Sequence, residues 1–168
     1  MSYRGQFAYP TPPGCRDEDF VYSFDGSNTP MLNQNFVGRT LENIPLPLEQ
    51  DAPFYWRGLK LGMFLTLVGE GTIYSYVIPN LSIRLKDCYE NPLSEGYIPA
   101  TQYGYPMNPL TFNGQLLTGP PMPLESEIYC PRGGVIYLNL KDQSPYASGT
   151  YDFQISLWGV KRFKDCTV

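Results

Sequence analysis

An all-β domain, two antiparallel sheets packed face to face as a sandwich, is the fold class this sequence predicts, and three observations carry the prediction. Seventeen Pro and sixteen Gly punctuate 168 residues, more turn formers than a set of long helices tolerates. Fourteen Tyr and nine Phe suit half-buried pleated surfaces and interfaces. From Pro53 onward short apolar runs alternate with turn residues, and nowhere does a helical period persist for three turns. An apolar share of 42% is enough for one domain of ordinary size to bury a core.

The elements follow in chain order. "FYWRGLKLGMFLTLVG" (54 to 69) predicts one or two strands with a break at Gly58 or Gly62, and "GEG" (69 to 71) a turn into "TIYSYVIP" (72 to 79). "LSIRLKDCY" (81 to 89) sets Leu81, Ile83 and Leu85 against Ser82, Arg84 and Lys86, a strand with one wet face. "YENPLSEG" (89 to 96) is a turn, and "YIPATQYGYPMNPLTFNG" (97 to 114) a weak strand followed by a long loop broken by Pro. "QLLTGPPMPLESEIYCP" (115 to 131) is expected to be irregular and extended. "GVIYLNLKD" (134 to 142) alternates Ile136, Leu138 and Leu140 with Val135, Tyr137 and Asn139. "GTYDFQISLWGVKRF" (149 to 163) closes the domain, with Tyr151, Phe153, Ile155 and Leu157 on one face. Seven or eight such strands require two sheets. A jelly roll is the expected winding, although immunoglobulin-like windings share these signals.

Residues 1 to 50 differ. "YPTPPG", "DGSNTP" and "IPLPLEQDAP" interrupt every periodicity, so this segment is expected to be an extended N-terminal arm appended to a sandwich domain at 51 to 168. It carries too many large apolar side chains, among them Phe7, Tyr9, Phe20, Tyr22 and Phe24, for a solvated tail. The arm lies along its own domain, a sister subunit or another protein; those five aromatics are candidate anchors, with burial on the domain as the competing reading. Removing residues 1 to 50 is expected to leave the sandwich folded.

Composition excludes several functions. A net charge of −4 lacks the clustered Lys and Arg that a phosphate backbone demands, so no nucleic acid is expected. The opening "MSYRGQFAYP" has no apolar signal-peptide core and "LGMFLTLVG" is too short to span a bilayer, so no membrane partner is expected either. Cys15, Cys88, Cys130 and Cys166 form no C-x-x-C pair, and with no His in the chain no metal site or cofactor is expected. The missing His also removes the usual base for acyl transfer. Glu125 with Glu127, and the run Asp17, Glu18 and Asp19, are the carboxylates available for glycoside hydrolysis or Ca²⁺; solvated rim charges are the favoured reading of both. Tyr97, Tyr103 and Tyr105 could stack on sugar rings or, as the favoured alternative, pack within an interface. "CPRGG" (130 to 134) is read as a bend into the next strand, with nothing beside Cys130 to activate a thiolate.

Four stretches, "PFYWRGL" (53 to 59), "IRLKDCYENPLSEGYIPA" (83 to 100), "GPPMPLESEIYCPRGGVIYLNLKD" (119 to 142) and "ISLWGVKRF" (155 to 163), resemble a family of small virion proteins of tailed bacteriophages, the jelly-roll cement or decoration proteins. The resemblance spans about residues 53 to 163 and consists of structural patches without a catalytic signature. It implies a non-enzymatic auxiliary capsid protein on the outside of the virion, made in the host cytoplasm, whose partner is the major capsid protein and which closes into a homo-oligomer, a dimer favoured over a trimer. A receptor- or carbohydrate-binding module of a phage tail or head fibre, using Tyr97 to Tyr105, is the alternative.

Overall fold

The computed structural model of the protein describes residues 10–33, 38–68, 74–77, 80–103, 121–145 and 149–164. Their strands are β1 (Cys15–Phe24), β2 (Thr40–Pro47), β3 (Phe54–Val68), β4 (Tyr74–Val77), β5 (Leu81–Lys86), β6 (Ile98–Pro99), β7 (Met122–Cys130), β8 (Val135–Asp142) and β9 (Thr150–Lys164). Two 3₁₀ turns, Pro30–Asn33 and Ala100–Gln102, are the helical elements among the described residues. One sheet has the order β1-β9-β3-β4, with β7 also on β3; the other has the order β2-β8-β5-β6. All pairs are antiparallel.

The two 15-residue strands β3 and β9 pair along their length and form the spine. Tyr22, Phe24, Phe54, Trp56, Leu59, Leu61, Ile155 and Leu157 face inward from this sheet. They meet Ile44, Leu46, Leu81, Ile83, Leu85, Ile136, Leu138 and Leu140 from the other in one core, so the molecule is a β-sandwich. The period-2 patterns predicted for β5, β8 and β9 place these aliphatics inside. Near Gly58 the sequence predicted a break; the chain instead continues through a register shift between Trp56 and Gly58, and the Trp56 indole donates to the Gly58 carbonyl at 2.8 Å inside the core.

Three expectations are corrected. Residues 15–24 and 40–47 are strands of the sandwich, β1 lying on β9 and β2 on β8, so the strand pairing shows no division at residue 50. Prolines hid β2: Pro45 and Pro47 stand on an edge strand, where missing amide donors cost little. Likewise residues 122–130, expected to be irregular, are the edge strand β7, with Pro123 opposite Gly58. Removing residues 1 to 50 would therefore strip a strand from each sheet. The "GEG" turn and most of the loop after Tyr103 lie outside the described residues.

The "CPRGG" bend is structural, as predicted. Gly133 takes a φ of 65°, Gly134 N–H closes the turn on the Pro131 carbonyl at 3.0 Å, and Gly133 N–H donates to the Glu49 carbonyl at 2.9 Å. Among the described residues no helix is long and apolar enough to cross a membrane.

Gly159 on β9 lies tightly against the backbone and Phe54 ring of β3. A Cβ there would overlap the Tyr55 carbonyl oxygen and stand 2.8 Å from Phe54 Cζ. Gly159→Ala is expected to cost about 3 kcal/mol or more, measured by denaturant titration; a change within about 0.5 kcal/mol would contradict this packing.

Candidate functional surface

Strand register builds a row of side chains across the outer face of the first sheet. Asp17 stands opposite Arg162 on β9, and Tyr55 on β3 stands opposite both Val160 on β9 and Tyr129 on β7. Arg162 is two residues beyond Val160, so it reaches Tyr55 diagonally and its guanidinium lies 4.2 Å from that ring. The same guanidinium grips Asp17 with two bonds, Nε to Oδ1 at 2.7 Å and Nη2 to Oδ2 at 2.8 Å. Tyr55 and Tyr129 meet edge to face at 5.4 Å. Tyr89 stands in the turn that follows β5. Beside the row, Arg57 Nε donates to Glu127 Oε2 at 2.6 Å.

Exposure rises along this row. Asp17 and Arg162 are mostly covered and Tyr55 is half-buried, whereas Tyr129 is 45% and Tyr89 57% exposed. The strip thus has a tethered end and an open aromatic end. Tyr89 is braced by its turn: its N–H and that of Asn91 both donate to Asp87 Oδ1 at 2.8 Å, and Glu90 adopts a φ of 64°. Ordering these aromatics on a rigid frame lowers the entropy cost of using them as contacts.

Electrostatics reinforce the tethered end. The Asp17 carboxyl is held below its ordinary value, first by the hydrogen bonds from Arg162 and, against the opposing effect of burial, by one from Thr11. Arg162 is correspondingly held above its usual range, first by Asp17. The carboxylates considered as an acid/base or calcium set are divided between roles. Asp17 and Glu127 sit in ion pairs, while Asp19 and Glu125 are exposed, so Glu125 and Glu127 are not equally solvated. Among the described residues no group of three or more His, Cys, Asp or Glu is arranged to hold a metal.

The sequence-predicted contact residues fall elsewhere. Tyr22 and Phe24 are buried in the core and Phe20 is partly buried against it, which corrects their assignment as anchors. They alternate inward along β1, Phe20 and Tyr22 meeting at 4.8 Å and Tyr22 and Phe54 at 5.0 Å. Tyr103 packs against the core after the second 3₁₀ turn, and half-buried Tyr97 has the Lys141 ammonium 5.9 Å from its ring centre. Phe7, Tyr9 and Tyr105 lie outside the described residues. Tyr55, Tyr89, Tyr129 and Arg162 were missed. The available signal was alternation: Tyr55 between inward Phe54 and Trp56, and Tyr129 beside inward Cys130.

Compared with protein-family models, with curated proteins and with solved structures, the chain gives no match.

Because the Asp17 carboxyl is depressed in the fold, its pairing stabilises fully above the unfolded carboxylate value of about 3.9 and is lost as pH falls through the lower folded value. Asp17→Asn is expected to cost about 2 kcal/mol at pH 7 and to flatten the acid limb of a melting-temperature profile. Wild-type and variant profiles that stay parallel on acidification would contradict the assignment.

Proposed function

We propose that this chain is a non-enzymatic structural protein of a tailed-phage virion, a cement protein that lies over joints between major capsid proteins and strengthens the head. The resemblance of residues 53 to 163 to that family supports the reading, and so does the winding. β1 pairs with β9, β2 with β8, β3 with β7 and β5 with β6, nested pairs that a single long two-stranded ribbon leaves when wrapped into a jelly roll. That architecture recurs in viral capsid and lectin domains, and fold alone does not assign function.

The observation that carries the proposal is the exposed, braced tyrosine strip. Tyr129 on edge strand β7 and Tyr89 in the turn after β5 are exposed, and an Arg–carboxylate pair stands at the other end of the row, the residue types enriched where proteins meet proteins. A ligand that binds only the assembled shell adds its binding free energy to the assembled state, so adhesion by such a surface is sufficient for the role. Closure into a dimer on a two-fold joint is the simplest stoichiometry.

The test is co-sedimentation with DNA-filled heads of the phage whose genome carries the gene, with head melting followed in parallel. Wild type is expected to co-sediment and raise the melting temperature of the heads, and Tyr89→Ser/Tyr129→Ser to bind at least about tenfold more weakly, the scale of losing aromatic hot spots, while its own melting stays unchanged. Binding to host glycans with heads unaffected would overturn the proposal in favour of a fibre module.

A further inference from the structure

We infer that Cys88 and Cys130 form an oxidation site, at which a low-molecular-weight disulfide converts two thiols into a cross-link between the sheets. Cys130 ends β7 in one sheet and Cys88 follows β5 in the other. Cys88 Sγ lies against Gly134 in the tight bend that follows Cys130, a bend closed by Gly134 N–H on the Pro131 carbonyl, and the Cys88 side chain acts on the Cys130 thiol across this contact. The surroundings hold the pair in place. Asp87 organises the turn through its bonds to the amides of Tyr89 and Asn91, and Gly134 leaves the room: a Cβ there would stand 2.9 Å from Cys88 Sγ.

Exposure divides the roles. Cys88 is partly exposed and Cys130 fully buried, so an external disulfide meets Cys88 first. The Cys88 sulfur, as thiolate, attacks one sulfur of the oxidant and expels the other as a thiolate, leaving a mixed disulfide; its proton goes to solvent. Cys130 then loses its proton and attacks the Cys88 sulfur, expelling the second oxidant thiolate, so two protein thiols are oxidised and one small disulfide is reduced to two thiols. Cys130 resists ionisation in the reduced fold, first through the Cys88 side chain and then through burial. The mixed disulfide removes the first restraint, because Cys88 then no longer presents a thiol.

The bond would close the chain between β5 and β7 and staple the sheets when the protein passes from a reducing to an oxidising medium. Full-length reduced protein, folded and incubated with oxidised glutathione, then alkylated in denaturant and digested without reductant, tests this. One linked peptide pair holding Cys88 and Cys130, lighter by two hydrogens, is expected, absent from Cys88→Ser, with melting raised by about 10 °C. A glutathione adduct that persists on Cys88 with Cys130 unlinked, pairing of either residue with Cys15 or Cys166, four unmodified cysteines, or a link without a rise in melting temperature would each overturn it.

Discussion

A positive charge inside one end of the sandwich determines how the N-terminal strands are held. Lys161 is 2% exposed, and burying an ammonium is costly unless it is paired and hydrogen-bonded. Its Nζ bonds Glu49 and, at 2.9 Å, Asp51, both in the connection between β2 and β3. It also lies 3.7 Å from the Phe20 ring centre and 5.4 Å from that of Tyr22 on β1. Burial alone would push the Lys161 pKa down, but the hydrogen bonds with Glu49 and Asp51 reverse it and raise it. One side chain of β9 thus requires β1 and the β2–β3 connection to be where they are.

Further bonds spread that constraint. The Glu49 amide donates to the Tyr22 hydroxyl at 3.1 Å, while the Glu49 carbonyl receives Gly133 N–H from the β7–β8 bend. The position of β7 against β3 is thereby tied to the same knot. On the opposite face of the sheet, one residue along from Lys161, Arg162 points outward and organises Asp17, Tyr55 and, through Tyr55, Tyr129. Adjacent residues of one strand therefore serve the interior and the surface, as the pleat dictates. The aromatic strip inherits its rigidity from the knot beneath it.

How far the sequence revealed this follows from physical causes. β5, β8 and β9 were legible because Leu, Ile and Phe recur at every second position along them. β2 and β7 were obscured by prolines that an edge strand tolerates, and β2 also by a bulge. There Asn43, with a φ of 55°, interrupts the alternation, and its amide is satisfied by the buried Asn139 side chain at 2.6 Å. In β1 the alternation of Phe20, Tyr22 and Phe24 was present, but the charge run Asp17 to Asp19 read as solvent-facing, because the partner of Asp17 lies on the last strand of the fold. The surface strip was less legible still. Tyr55 and Tyr129 belong to strands far apart in sequence, and only register brings them together. A buried Lys161 runs against the usual exposure of lysine.

The account rests on β1 being an integral strand held to β9 by the Lys161 knot. Native-state amide hydrogen exchange, resolved residue by residue, measures this directly. Those amides of Cys15–Phe24 that bond to β9 should be protected to within about tenfold of their β9 partners, as one cooperative unit requires. Exchange of β1 at the rate of an unstructured tail, while β9 and β3 remain protected, would contradict it.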